Sequence, residues 1–122
     1  MWNEILVRNY PRTFSRLSYF ECNSGWKDII AEAASVIEEY NRTVEDKENW
    51  VTASQVKEKF GTLRFYIDMW QIAEDKYAEI AAAVAEAERK SKTTCESCGS
   101  PEGTLRLQNR YYRVTLCDKC NV

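Results

Sequence analysis

The sequence predicts an α+β fold: two helices packed on a β-hairpin, followed by a C-terminal zinc-ribbon held by four cysteines. Three observations point there. Apolar residues recur at helical spacing over residues 26–41 and again over residues 71–91. Between them, residues 50–68 hold two β-prone runs separated by Gly61. Four of the five cysteines then fall in two C-x2-C pairs near the end of the chain. At 122 residues the chain has the length of about one domain. It divides into a core with an N-terminal arm, 1–91, and a ribbon module packed on it, 92–122.

Residues 1–20 read as an arm. Trp2, Ile5, Leu6 and Val7 are apolar, and Pro11 interrupts any helix running through Arg8, Arg12 and Arg16. The arm is expected to pack on the core through its aromatics. Three arginines four apart also suggest a basic arm touching phosphate, but they are few for that role. The first helix spans residues 26–41, with Ile29, Ala33, Val36, Ile37 and Tyr40 on one face and Ser24 as its cap. Residues 41–49 are a solvated connection.

In the hairpin, residues 50–56 favour strand, 57–61 supply the turn, and Leu63, Phe65 and Ile67 alternate with Arg64 and Tyr66. The apolar set should face the helices. Lys57, Lys59, Arg64 and Tyr66 would share the outer surface. A second helix over residues 71–91 carries a stripe of Ala73, Tyr77, Ile80, Val84 and Ala87. Glu74 and Asp75 at its start and Arg89 and Lys90 at its end complement the helix dipole.

The cysteines carry the chemistry. Cys95, Cys98, Cys117 and Cys120 form C-x2-C-x18-C-x2-C, a spacing that marks a zinc site. Each C-x2-C turn curls two sulfurs toward one point, and two such turns supply the four tetrahedral ligands of a structural zinc. One Zn(2+) per chain is expected. Its closed sulfur shell leaves no position at which to activate water, so the zinc is structural. Between the pairs, Leu105 and Leu107, then Tyr112, Val114 and Leu116, alternate with other residues around a short polar turn, the outline of a ribbon hairpin. Cys22 stands alone and reads as a small buried residue.

Composition excludes several classes. The chain has no histidine, so no Ser-His-Asp triad, Cys-His pair or imidazole acid–base can be built. It also lacks G-x-x-x-x-G-K and G-x-G-x-x-G. No catalytic residue or small-molecule substrate is evident, and the expectation is a protein that is not an enzyme. No apolar run suits a membrane span or a signal peptide, which predicts a cytoplasmic protein. Residues 1–90 carry 12 basic and 16 acidic side chains, whereas residues 91–122 carry five and three. With four thiolates around a divalent ion the whole chain is about −4. That balance opposes non-specific nucleic-acid binding and favours a protein partner.

Two segments together look familiar: Val56-Lys57-Glu58-Lys59-Phe60-Gly61-Thr62-Leu63-Arg64-Phe65-Tyr66 and the terminal cysteine pairs, preceded by Glu21-Cys22-x3-Trp26-x2-Ile29-Ile30. They resemble a family of small, largely uncharacterised proteins encoded by bacteriophages and prophages. The resemblance covers most of the chain after residue 20. It implies a phage accessory protein in the host cytoplasm, with the four cysteines as zinc ligands and no catalytic residue. By analogy, such a protein binds a host protein and can inhibit a defence factor.

The leading expectation is therefore a zinc-stabilised interaction protein. Arg64, Tyr66, Arg110 and Tyr111 are its candidate contact residues. The competing expectation is a nucleic-acid-binding zinc-ribbon that uses the arginines and tyrosines of the ribbon.

Overall fold

A computed structural model describes residues 1–122. Its first element is a helix, α1 (Trp2–Asn9), within the segment that the sequence marks as an arm. Pro11 accounts for the helix's end without preventing its formation. Tyr10, the residue before the proline, leaves the helical region at φ −129°. The following segment packs through its aromatics: Phe14 is buried, with ring centroids 5.1 Å from Phe20 and 6.3 Å from Phe65. Two of the three spaced arginines pair within the chain, Arg12 with Glu38 at 3.0 Å and Arg16 with Glu48 at 3.4 Å.

A 3-10 turn, Ser24–Trp26, leads into α2 (Lys27–Asn41). Ser24 lies inside that turn, and its side chain does not cap the helix. The apolar face of α2 follows the predicted period, burying Ile29, Ile30, Ala33, Ala34 and Ile37. Two polar residues join it unannounced. Asn41 is fully buried, its amide accepting from the Val51 N–H at 2.9 Å and donating to the Val51 carbonyl at 2.8 Å. This clasp returns the chain to the start of the hairpin.

Glu38, 1% exposed, accepts from the backbone N–H groups of Arg12 and Thr13, the Thr13 hydroxyl and the Arg12 guanidinium. Burial pushes its carboxyl up, but these donors outweigh that and hold it below the ordinary value of 4.5. Its contribution is therefore complete above about pH 4.5 and is lost as pH falls through the lower folded-state value. Glu38→Gln should start about 2 kcal/mol less stable at neutral pH. Urea melts at falling pH should then show a shallower acid loss than in the parent. An unchanged acid limb would refute this.

β1 (Thr52–Lys59) and β2 (Thr62–Asp68) pair antiparallel. The strands run longer and the turn is tighter than the sequence suggests, because β1 continues through Lys59. Only Phe60 and Gly61 connect them, at φ +56° and +82°, the positive pair that a type I′ turn needs. A bulge between Ala53 and Gln55 lets both Ala53 and Val56 reach the core. Leu63 and Phe65 are buried against the helices, and Ile67 is half-buried.

Both edges of this two-stranded sheet are occupied. On the β1 side, Ala53 N–H donates to Thr13, Glu21 N–H to Val56, and Glu58 N–H to Glu21. On the β2 side, Leu63 N–H donates to the Ser91 hydroxyl and Phe65 N–H to the Glu88 carboxylate, each at 2.9 Å. A hairpin that would be marginal alone is thus sealed by its neighbours.

Ser91 and Glu88 belong to α3 (Glu74–Ser91), which begins three residues later than the apolar pattern suggests. Ile80, Val84 and Ala87 face the core, but Tyr77, in the first turn of α3, is exposed. The chain ends in β3 (Thr104–Leu107) and β4 (Arg113–Leu116), paired antiparallel between the cysteine turns. Buried apolar residues fall into two clusters. The larger draws on Leu6 through Ala87, the smaller on Cys95, Leu116 and Cys117. The fold is α+β with three helices and two hairpins.

Candidate metal centre

The two cysteine turns bring Cys95, Cys98, Cys117 and Cys120 together, with all four sulfurs within 4.8 Å of one another. Cys98 and Cys117 lie 3.7 Å apart. A tetrahedron with metal–sulfur arms of about 2.3 Å has edges of about 3.8 Å, so the spacing suits a tetrahedral ion. Local hydrogen bonds shape the first turn: Cys95 N–H donates to Ser100 and Gly99 N–H to Cys95, at 2.8 and 2.9 Å. Gly99 closes it at φ +86°, a conformation glycine adopts without strain. In the second turn, the N–H groups of Cys120 and Asn121 both point at the Cys117 carbonyl.

The electrostatics prepare one thiolate. Burial pushes the Cys95 thiol up, but the N–H groups of Cys117, Cys98 and Ser97 overcome this and bring it down to about 6. Cys120 moves the other way, to about 12, because it shares hydrogen bonds with the sulfurs of Cys117, Cys98 and Cys95. A divalent cation at the centre stabilises all four as thiolates. Cys95 and Cys117 are buried, Cys120 half-buried and Cys98 exposed. The residues present fit a structural metal ion.

What positions this centre is a seam that spacing alone does not reveal. Gly25 N–H donates to the Glu96 carbonyl at 2.7 Å, Asn23 N–H to the Glu96 carboxylate at 3.0 Å, and the Trp26 indole to the Thr94 carbonyl at 2.9 Å. Gly25 sits so close that a Cβ there would collide with the carbonyls of Cys95 and Glu96. On the other side, the Thr115 hydroxyl donates to the Gly61 carbonyl at 2.6 Å, joining β4 to the tip of the first hairpin. The only advance signal of the seam was a glycine and a tryptophan shortly after Cys22.

Cys22 is half-buried and stands outside the sulfur cluster. Burial, then the charges of Glu96 and Glu58, push its thiol up to about 12, so it is protonated and unreactive at neutral pH. Cys22→Ser should leave metal content unchanged and cost about 1 kcal/mol through lost packing. Loss of one metal equivalent by elemental analysis would overturn that assignment.

The four candidate contact residues occupy different settings. Tyr66 is 44% and Tyr111 83% exposed. Arg110 is exposed in the loop between β3 and β4, where the Tyr111 N–H donates to the Asn109 side chain at 2.8 Å. Arg64 is half-buried at the border of β2 and α3. Neither Arg64 nor Arg110 is in an ion pair. Phe60, which the sequence places in a turn, is 56% exposed four residues before Arg64.

No family model matches the chain, and neither the curated proteins nor the solved structures show a significant likeness to it. No helix is long and apolar enough to cross a membrane.

Proposed function

We propose that this chain is a zinc-stabilised, non-catalytic binding protein that engages a protein partner through its first hairpin and ribbon. The carrying observation is the coincidence of exposed aromatics with unpaired arginines: Tyr66, Tyr111 and Tyr112 with Arg64, Arg110 and Arg113. Tyrosine and arginine are the residue types that anchor protein interfaces, one through rigid area and the other through forked hydrogen bonds to carboxylates. Zinc on Cys95, Cys98, Cys117 and Cys120 holds the ribbon in register beside the hairpin tip. It activates no water, since four protein sulfurs complete its shell.

On the phage resemblance, the partner is a host protein met in the host cytoplasm, and blocking a defence factor is a role consistent with it. The test is a tagged pull-down from host lysate, with and without nuclease, comparing the parent with an Arg110→Ala/Tyr111→Ala variant. Nuclease-resistant capture of one defined protein, at least tenfold weaker in a variant of unchanged melting temperature, supports the proposal. Nuclease-sensitive capture, or oligonucleotide binding that falls steeply with salt, favours the competing ribbon–nucleic acid reading.

A further inference from the structure

Two features of the first hairpin are costly: a large aromatic at a turn position that needs a positive φ, and a buried donor left unmet. Phe60 holds φ +56°, a left-handed conformation that disfavours a large side chain. Its ring is 56% exposed, with the Lys59 ammonium 5.6 Å from its centroid. A buried residue could repay such strain by packing, but this one does not. The second feature is Arg64 Nε, the one buried side-chain nitrogen or oxygen without a hydrogen-bond partner. Unmet buried donors are rare and call for an explanation.

Both residues line the same cleft. It holds about 380 Å³ between β2 and the C-terminal half of α3, with Thr62, Glu88, Arg89 and Lys92 among its other walls. The charges there are unequal in availability. Arg89 is paired with Glu86, which leaves Glu88 as the negative charge in the wall. Arg64 and Lys92 are in no ion pair and together outweigh Glu88, whose carboxylate keeps its charge while accepting the Phe65 N–H, so the cleft is net positive.

We propose that this cleft is a carboxylate-recognition site for an acidic, partly apolar segment of a partner protein. The inference rests on the protein-partner reading and specifies its chemistry. An aspartate or glutamate side chain of the partner pairs with the guanidinium of Arg64, and rotation of that side chain on binding brings the buried Nε–H to the carboxylate and satisfies the unmet donor. Lys92 adds a second positive charge at the rim. An apolar partner residue beside the carboxylate covers Phe60. Pairing at a site partly shielded from water is stronger than the same pair in solvent. A nucleic-acid strand fits less well. It needs a basic track, whereas Glu88 stands in the wall and Glu86 beside Arg89.

The test uses the full chain, metal-loaded and labelled with nitrogen-15. Three probes are titrated: a terminally blocked peptide alternating leucine and glutamate, its leucine–glutamine counterpart, and a random single-stranded oligonucleotide. The glutamate peptide should move the Arg64 Nε–H resonance saturably, and the glutamine peptide should bind at least tenfold more weakly. Arg64→Gln should weaken glutamate-peptide binding at least tenfold, read from the backbone amide shifts of Thr62, Leu63 and Phe65. Phe60→Asn should weaken peptide binding several-fold while raising the melting temperature, because asparagine tolerates the left-handed turn position.

A lowered melting temperature in that variant would show that the ring serves packing and would overturn its assignment. Peptide shifts confined to Arg110 and Tyr111 would overturn the cleft while leaving the protein-partner reading standing. Absence of any peptide shift would overturn the cleft, and the lysate capture separately decides the broader reading. Salt-sensitive shifts at Arg64 with the oligonucleotide would overturn both.

Discussion

Replacing Cys117 by serine should remove one zinc equivalent per chain and unfold the segment from Cys95 to Cys120, while the helices and first hairpin persist. The size of the effect follows from how little apolar packing the ribbon has of its own. Its apolar cluster contains only Cys95, Leu116 and Cys117, and two of those three are ligands. Leu105 and Leu107 are 56% and 68% exposed and add little burial. Structural zinc in small modules contributes an apparent binding free energy of about 10–16 kcal/mol, comparable with the about 5–15 kcal/mol that stabilises a whole domain. Elemental analysis should give one zinc for the parent purified without added metal and none for Cys117→Ser. Amide spectra should show collapse of ribbon dispersion in the variant or on chelation. A metal-free parent with an intact ribbon would refute the assignment.

Gly25→Ala should cost about 3 kcal/mol or more although it adds one methyl group far from any ligand in sequence. Overpacking in a yielding core costs about 1–3 kcal/mol, because side chains can move aside. Here the obstruction is backbone. The new Cβ would meet the carbonyls of Cys95 and Glu96, and moving them breaks the Gly25 N–H bond to Glu96 and disturbs the first cysteine turn. Gly99 lies over the same point, its Cβ position 3.1 Å from the Gly25 carbonyl, so the turn has little room to retreat. Denaturant melts should show the loss, and metal should still bind, since all four ligands remain. A melting curve matching the parent would mean that the seam is not a rigid contact.

The sequence carried the periodic and the covalently spaced features well. The stripe of α2 was legible because Ile29, Ala33 and Ile37 obey a 3.6-residue period set by helix geometry alone. The sulfur cluster was legible because a C-x2-C turn constrains its own geometry, whatever surrounds it. Pro11 does interrupt a helix through Arg8, Arg12 and Arg16, but the arm before it forms α1, which eight residues of mixed pattern do not announce. The hairpin turn was placed too early because Lys57 and Glu58 are poor strand formers. In the fold, their backbone groups pair with Arg64 and Leu63 across the sheet.

Local composition by itself determined the two main helices, the existence of both hairpins and the four-sulfur set, since each arises from interactions within a few residues or from ligand spacing. Tertiary structure alone decided what those parts meet. It buried Glu38 beneath the Arg12–Thr13 backbone, turned Asn41 into a clasp on Val51, and set Gly25 against the cysteine turn. It also left Arg64 Nε without a partner beside an exposed Phe60. None of these has a periodic signature. A polar group's partner ten or more residues away depends on how the elements pack, and hydrogen bonds are satisfied only once that packing exists.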